Sequence, residues 1–158
     1  GQERLDAFHR ALVCGDAGAL QAALSHILMT STSCRDLISE NSYHMLVMGL
    51  LFGVPGYGDP VSNCEEGRGY FDLRLEAGPD FPCVPSGGES LPVITLELKV
   101  MKAMGNGNPD TRLEILANEA LEQIEDRAYD EQAGGGRLRY GIAFCGKEVS
   151  VVSQRLGN

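Results

Sequence analysis

The chain has 158 residues, 43% hydrophobic and 22% charged, which is the composition of one folded domain rather than a disordered segment. Its net charge of -9 disfavours nucleic-acid or membrane binding by simple charge attraction, and no apolar stretch is long enough to span a bilayer. Five scattered cysteines without a C-x-x-C pair predict reduced thiols in a cytoplasmic protein that has no structural zinc site.

The N-terminal third has the periodicity of α-helices. Apolar residues recur three and four apart over residues 5–13, and Gly15 follows as a stop. Asp16 is placed to cap a second helix over residues 17–28. A third helix is expected over residues 35–52, where a Gly- and Pro-rich segment ends it.

The pattern then changes to the two-residue alternation of strands. Residues 70–76 alternate between apolar and polar side chains, and residues 93–100 do the same. The segment between them, residues 77–92, is rich in Gly and Pro and is expected to be a loop.

A crossover helix follows the second strand. It is expected over residues 112–131, capped by Asp110 or Thr111. Two last strands, over residues 138–145 and 148–153, are expected to form a tight hairpin through Gly146 and Lys147. This order of elements predicts an α/β fold with a central mixed β-sheet flanked by helices and with an N-terminal helical segment.

The chain is expected to be one unit, with an N-terminal helical segment over residues 1–30 and the main domain over residues 31–158. Because it starts with Gly rather than Met, we expect it to be a fragment of a longer chain. Charge is uneven: residues 134–158 carry four basic groups and one acid, so the rest holds a net charge of -12. Arg137, Arg139 and Lys147 in this basic segment are therefore the local candidates for contact with an acidic partner.

Asp72, Glu97 and Lys99 are charged residues inside strand patterns, where such residue types are depleted. Glu97 and Lys99 share one face of their strand, and neighbouring strands would bring Asp72 to the same patch. Two close carboxylates suit Mg²⁺ or Mn²⁺, and the Leu98 carbonyl between Glu97 and Lys99 could add a third oxygen. A metal-held water near Lys99 could then attack a phosphodiester. The alternative is that these side chains form the wet face of a half-exposed sheet.

Four segments in order resemble one known family. An acid on a helix, then G-R-G-x-x-D on a strand and E-x-K on the next strand, is similar to the PD-(D/E)XK nuclease superfamily. The sequence around these motifs also resembles the nuclease-like domain at the C-terminus of predicted AAA-type ATPases. This resemblance covers residues 16–152. It is carried by the segments "ENSYHMLVMGLLFG", "EEGRGYFDLRL", "VITLELKV" and "NEALEQIEDRAYDE" followed by "YGIAFCGKEVSVV".

The resemblance implies a restriction-endonuclease-like core and a role for each matching residue. Asp72 and Glu97 would be metal ligands, and Lys99 would orient or activate the attacking water. Glu40 would help to hold a water or a second ion, and Gln123 matches a glutamine beside the active site in many members. Taken from the residues alone, Glu40 could instead be an ordinary acid in the first turn of a helix, and Gln123 a solvated helix residue.

Two functions of different classes remain open. The first is a Mg²⁺-dependent nuclease acting on DNA, or else on RNA, with an ATPase domain in the same longer chain. The second is a catalytically silent, nuclease-like regulatory or protein-interaction module. The acidity of the chain favours the second function, as does Tyr70 in place of the Arg that many relatives have there. Arg68 could contact phosphate or could balance Glu65 and Glu66.

Overall fold

A five-stranded mixed β-sheet forms the centre of the fold in the computed structural model, which describes residues 1–31, 40–64, 71–78, 91–102, 108–127 and 136–157. The helices are α1 (Gln2–Cys14), α2 (Ala17–Ser31), α3 (Glu40–Leu50) and α4 (Pro109–Arg127). The strands are β1 (Val61–Cys64), β2 (Phe71–Leu75), β3 (Val93–Val100), β4 (Arg137–Cys145) and β5 (Glu148–Leu156). The α/β class, the mixed sheet and the N-terminal helical segment that the sequence predicts are confirmed.

The strands lie in the sheet in the same order as in the chain, β1-β2-β3-β4-β5. The pairs β1–β2, β2–β3 and β4–β5 are antiparallel, and β3 and β4 are parallel. A parallel pair needs a crossover connection, because the chain must return to the same end of the sheet. Helix α4, which lies between β3 and β4 in the chain, makes that connection.

One face of the sheet is apolar and packs against the three N-terminal helices. The larger core cluster joins side chains of α1, α2 and α3, such as Leu12, Leu24 and Val47, to inward residues of the sheet, such as Leu96 and Tyr140. The Tyr140 hydroxyl also donates a hydrogen bond to the Leu12 carbonyl, which satisfies this buried polar group. The N-terminal helical segment therefore belongs to the same hydrophobic core as the sheet.

The opposite face of the sheet packs against α4 and is called the α4 face below. Leu113 and Ala117 of α4 form a second, smaller core cluster with Ala143 of β4. Gly141, two residues before Ala143 on the same face of β4, allows α4 to come close to the sheet. A Cβ atom at this position would meet the Ala117 carbonyl oxygen and lie 2.8 Å from the Leu121 nitrogen. The lack of a side chain at Gly141 therefore sets how near α4 lies to the sheet.

The start of α2 agrees with the sequence prediction, and the start of α4 does not. The Asp16 Oδ1 atom accepts a hydrogen bond of 3.0 Å from the Ala19 backbone, so the predicted cap is confirmed. The prediction that Asp110 or Thr111 caps the crossover helix is wrong. The helix begins at Pro109, and the Asn108 side chain accepts a hydrogen bond of 3.1 Å from the Asp110 backbone.

Strand β1 was not predicted, since its four residues, VSNC, are too short and polar to show alternation. Strand β5 continues to Leu156, three residues beyond its predicted end. Helix α3 ends at Leu50 rather than at residue 52, and the predicted start of that helix lies outside the described residues. The same is true of most of the loop predicted at residues 77–92.

Within the described ranges, no helix combines the length and the apolar character needed to cross a membrane. Cys14 is an exposed free thiol and Cys145 a half-buried one.

We predict that Gly141→Ala destabilises the protein by about 2 kcal/mol or more, because its methyl group would push α4 away from the sheet. The matched control is Gly49→Ala on α3, where a Cβ atom meets nothing within 4 Å. This control should stabilise the protein by about 0.5–1 kcal/mol, since Ala restricts the unfolded chain more than Gly does. Urea unfolding of both variants measures the difference, and equal stabilities would contradict the close packing at Gly141.

Candidate functional site

Two carboxylates face each other across neighbouring strands on the α4 face. Asp72 of β2 is the direct antiparallel partner of Glu97 of β3. Side chains at directly opposed positions point to the same face with their Cβ atoms about 5 Å apart. The two strands are neighbours, as the sequence analysis required for the two acids to converge on one patch.

These acids are buried, so the interpretation of this patch as a wet sheet face is wrong for them. Asp72 is 3% exposed and Glu97 is 1% exposed, and Thr95 on the same face is buried as well. On the same face Arg74 and Lys99 are half-buried, and Glu76, which directly follows β2, is exposed. Burying a carboxylate costs free energy unless it is paired or binds a metal. Two buried acids therefore lower the stability of the fold and do not serve as a solvated surface.

The donor set of this pair fits a hard divalent cation. One oxygen of each carboxylate, Asp72 Oδ1 and Glu97 Oε1, is buried and accepts no hydrogen bond within the described residues, although both residues make other polar interactions. The described ranges hold no group of three or more His, Cys, Asp or Glu side chains arranged for a metal. Mg²⁺ is commonly held by only one or two carboxylates and keeps several waters, so a pair is sufficient for it.

Lys99 points to the same face as Glu97, two residues further along β3. Its Nζ atom lies 3.7 Å from Oε2 of Glu119 on α4. The Lys99 side chain is 13% exposed, whereas that of Glu119 is 53% exposed, so the pair lies at the border of the buried patch. Glu119 was not predicted from the sequence; the signal for it is its position one helical turn before Gln123.

Gln123 lies on the side of α4 that faces the sheet. It is four residues after Glu119, so the two side chains share one helix face, and Glu119 reaches Lys99 from that face. The Gln123 Oε1 atom is buried and has no hydrogen-bond partner within the described residues. The side chain as a whole is half-buried, so its carbonyl oxygen, rather than the entire residue, is withdrawn from solvent.

Glu40 is the first described residue of α3, and its side chain is not among those that the structure describes. The helix itself packs on the other face of the sheet from Asp72. Tyr43 stacks on Phe144 with ring centroids 4.7 Å apart, and its hydroxyl donates a hydrogen bond of 2.8 Å to the Gly146 carbonyl. Arg68 lies outside the described residues.

The basic residues of the C-terminal strands do not form one exposed surface. Arg137 is at the start of β4, and Lys147 is in the turn at the other end of that strand. Arg139 is only 4% exposed, and its guanidinium donates a hydrogen bond of 3.5 Å to the Gln154 side chain.

Leu98 turns its side chain into the core. Its backbone carbonyl is therefore the part of this residue that could bind a metal, as the sequence predicts.

The chain matches no protein-family profile and no curated protein.

His44 on α3 is a structural residue rather than part of this site. Its Nε2 atom and the Ser62 Oγ atom of β1 are joined by a hydrogen bond of 2.8 Å. Residue Ser62 is paired with Leu73, which belongs to the apolar core, so His44 lies on the face away from Asp72. Burial lowers the pKa of His44 below its ordinary value of 6.5.

We predict a loss of stability in mild acid that depends on His44. Because its folded-state pKa is lowered, its contribution is complete above pH 6.5 and is lost as the pH falls below that value. The slope from this one group is at most about 1.4 kcal/mol per pH unit. Urea unfolding between pH 7.5 and pH 5 should give a smaller slope for His44→Gln than for the wild type. Equal slopes in wild type and His44→Gln would refute the assignment.

Proposed function

We propose that this domain is a Mg²⁺- or Mn²⁺-dependent nuclease that hydrolyses phosphodiester bonds of DNA, or else of RNA. The observation that carries the proposal is the direct cross-strand pairing of two buried carboxylates, Asp72 and Glu97, with Lys99 two residues along the same face. Carboxylate oxygens in this arrangement suit a hard cation, and an ammonium group beside them suits the handling of a water molecule.

Each residue has a separate task in this proposal. Asp72, Glu97 and the Leu98 carbonyl would hold the metal, which when bound would stabilise the charge that develops on the phosphate. Lys99 would hold the attacking water, and Glu119 would hold the Lys99 ammonium group at the border of the patch. Gln123 would direct its buried carbonyl oxygen toward the same space, and Glu40 would support a water or a second ion.

The proposal includes a setting for the domain. Its similarity in sequence to the PD-(D/E)XK superfamily suggests a restriction-endonuclease-like core attached to an ATPase domain in a longer cytoplasmic chain. The five-stranded order with one parallel pair is compatible with such a core. Arg68, Arg137 and Lys147 stay candidates for nucleic-acid contacts, and Arg139 could act only from its buried position.

The alternative, a catalytically silent regulatory or protein-interaction module, is favoured by one observation. Asp72 and Glu97 are only 3% and 1% exposed, so little of either carboxylate is open to a substrate phosphate in this conformation. A competent nuclease would have to expose the carboxylates when it binds its substrate, whereas a silent module would keep them covered.

We predict that Mn²⁺ binds to the wild-type protein and raises its melting temperature, because a ligand that binds only the folded state stabilises it. Glu97→Gln and Asp72→Asn should lose most of this shift, since each removes one of the two charged ligands. The control is Glu122→Gln, an exposed acid on α4, which should keep it. Calorimetric titration with Mn²⁺ gives the affinities directly.

The outcomes separate the two functions. No binding of Mn²⁺ by the wild type, or full binding by Glu97→Gln, would contradict the metal site. Binding of Mn²⁺ without cleavage of single-stranded, double-stranded and structured DNA or RNA would favour the silent module.

We predict that Lys99→Ala separates metal binding from cleavage. The variant should bind Mn²⁺ as well as the wild type or better, because a competing positive charge beside Asp72 and Glu97 is removed. Cleavage should fall by about 100-fold or more, as is typical when a group that positions or activates the water is lost. The control is the exposed Lys102→Ala, and weaker metal binding in Lys99→Ala would contradict the role of Lys99.

A further inference from the structure

A second row of polar side chains crosses the α4 face beside the carboxylate pair. Arg74 of β2 is the direct partner of Thr95 of β3, and Thr95 is in turn the direct partner of Arg139 of β4. Each lies in its strand two residues from Asp72, Glu97 or Gly141, so all three side chains share the α4 face. A hydroxyl group is thus flanked on both sides by a guanidinium group.

This row contains buried hydrogen-bond donors that pair with none of the residues the structure describes. Thr95 is 2% exposed, and its hydroxyl has no hydrogen-bond partner within the described residues. The Nε and Nη2 atoms of Arg74 are also buried, and they too have no partner there. Among the described residues, the Nη1 atom of Arg74 makes a loose ion pair of 3.8 Å with Oε1 of Glu76. Unused buried donors are costly and rare, which calls for a ligand that accepts their hydrogen bonds.

The unused atoms of Arg74 are those that recognise an oxyanion. Nε and Nη2 form one edge of the planar guanidinium group, and this edge donates two parallel hydrogen bonds to a carboxylate or a phosphate. A tetrahedral phosphate has further oxygens that can accept from the Thr95 hydroxyl. Arg139 adds a second positive charge on the other side of Thr95, in a buried setting where electrostatic attraction is strong.

We propose that Arg74, Thr95 and Arg139 form a phosphate-binding subsite. It lies two residues along the strands from Asp72 and Glu97, which is about 7 Å. That the bound phosphate belongs to a nucleic acid, next to the phosphate that is cleaved, rests on the proposed function. That the subsite binds an oxyanion at all depends only on the geometry of the row.

The test measures the binding of inorganic phosphate by calorimetry, in EDTA so that no metal takes part. The variants are Thr95→Val, which removes the hydroxyl at constant shape, and Arg74→Lys, which keeps the charge but loses the two-atom edge. Arg112→Gln is the control, because it removes an exposed Arg of α4 far from the row in sequence.

The wild type should bind phosphate, and each of the first two variants should bind it about tenfold more weakly or worse, as expected for a lost hydrogen bond to a charged group. Arg112→Gln should bind like the wild type. In the absence of phosphate, Thr95→Val should melt at the same temperature as the wild type or higher, because the hydroxyl it removes has no internal partner. A purely structural Thr95 would instead give a lower melting temperature.

No phosphate binding by the wild type, or equal binding by the wild type, Thr95→Val and Arg74→Lys, would overturn the subsite. Glu97→Gln makes this failure distinguishable from a failure of the metal site, since it should lose Mn²⁺ but bind phosphate at least as tightly as the wild type. Competition with short oligothymidylate identifies the source of the ligand: displacement of phosphate indicates a nucleic-acid phosphodiester, and its absence indicates a small free phosphate compound.

Discussion

The register between β2 and β3 is the constraint on which the site depends. It places Asp72 opposite Glu97, and it places Leu73 opposite Leu96 on the other face. Because side chains alternate along a strand, a slip of one residue would move the carboxylates into the apolar core and the leucines out of it. The buried leucines therefore fix the register, and the pairing of the acids follows from core packing rather than from any attraction between them.

Helix α4 covers the part of this face that is formed by β3, β4 and β5. The helix lies close to the sheet because Gly141 has no side chain, and it then presents Glu119 and Gln123 toward the strand that carries Lys99. A sheet face covered in this way usually carries apolar residues, since burying charges is costly. Here it carries acids, guanidinium groups and a hydroxyl, which lowers stability and is typical of a face kept for binding or chemistry.

Alternation and periodicity in the sequence were sufficient to predict the fold class, most elements and the shared face of Glu97 and Lys99. They could not predict the burial of Asp72 and Glu97, because burial depends on how distant parts of the chain pack around the sheet, which alternation along one strand does not show. Strand β1 was missed because four mostly polar residues show no pattern, and the cap of α4 was assigned wrongly because Asn108 competes with Asp110 for the same role. The spacing of Glu119 from Gln123 places the two on one helix face, but its contact with Lys99 depends on where α4 crosses the sheet, which the sequence pattern does not show.

The net charge of -9 and a buried phosphate-binding row are compatible, because they act over different distances. Exposed charges are screened by salt over about 8–10 Å, so the surface acids mainly oppose the approach of a polyanion. A phosphate already in contact with Arg74 is governed instead by the few groups around it, which are less screened because they are buried. The acidity of the chain therefore slows the association of the domain with nucleic acid, but it does not prevent a phosphate from binding at Arg74, Thr95 and Arg139. Under the proposed function, another part of a longer chain would bring the substrate to it.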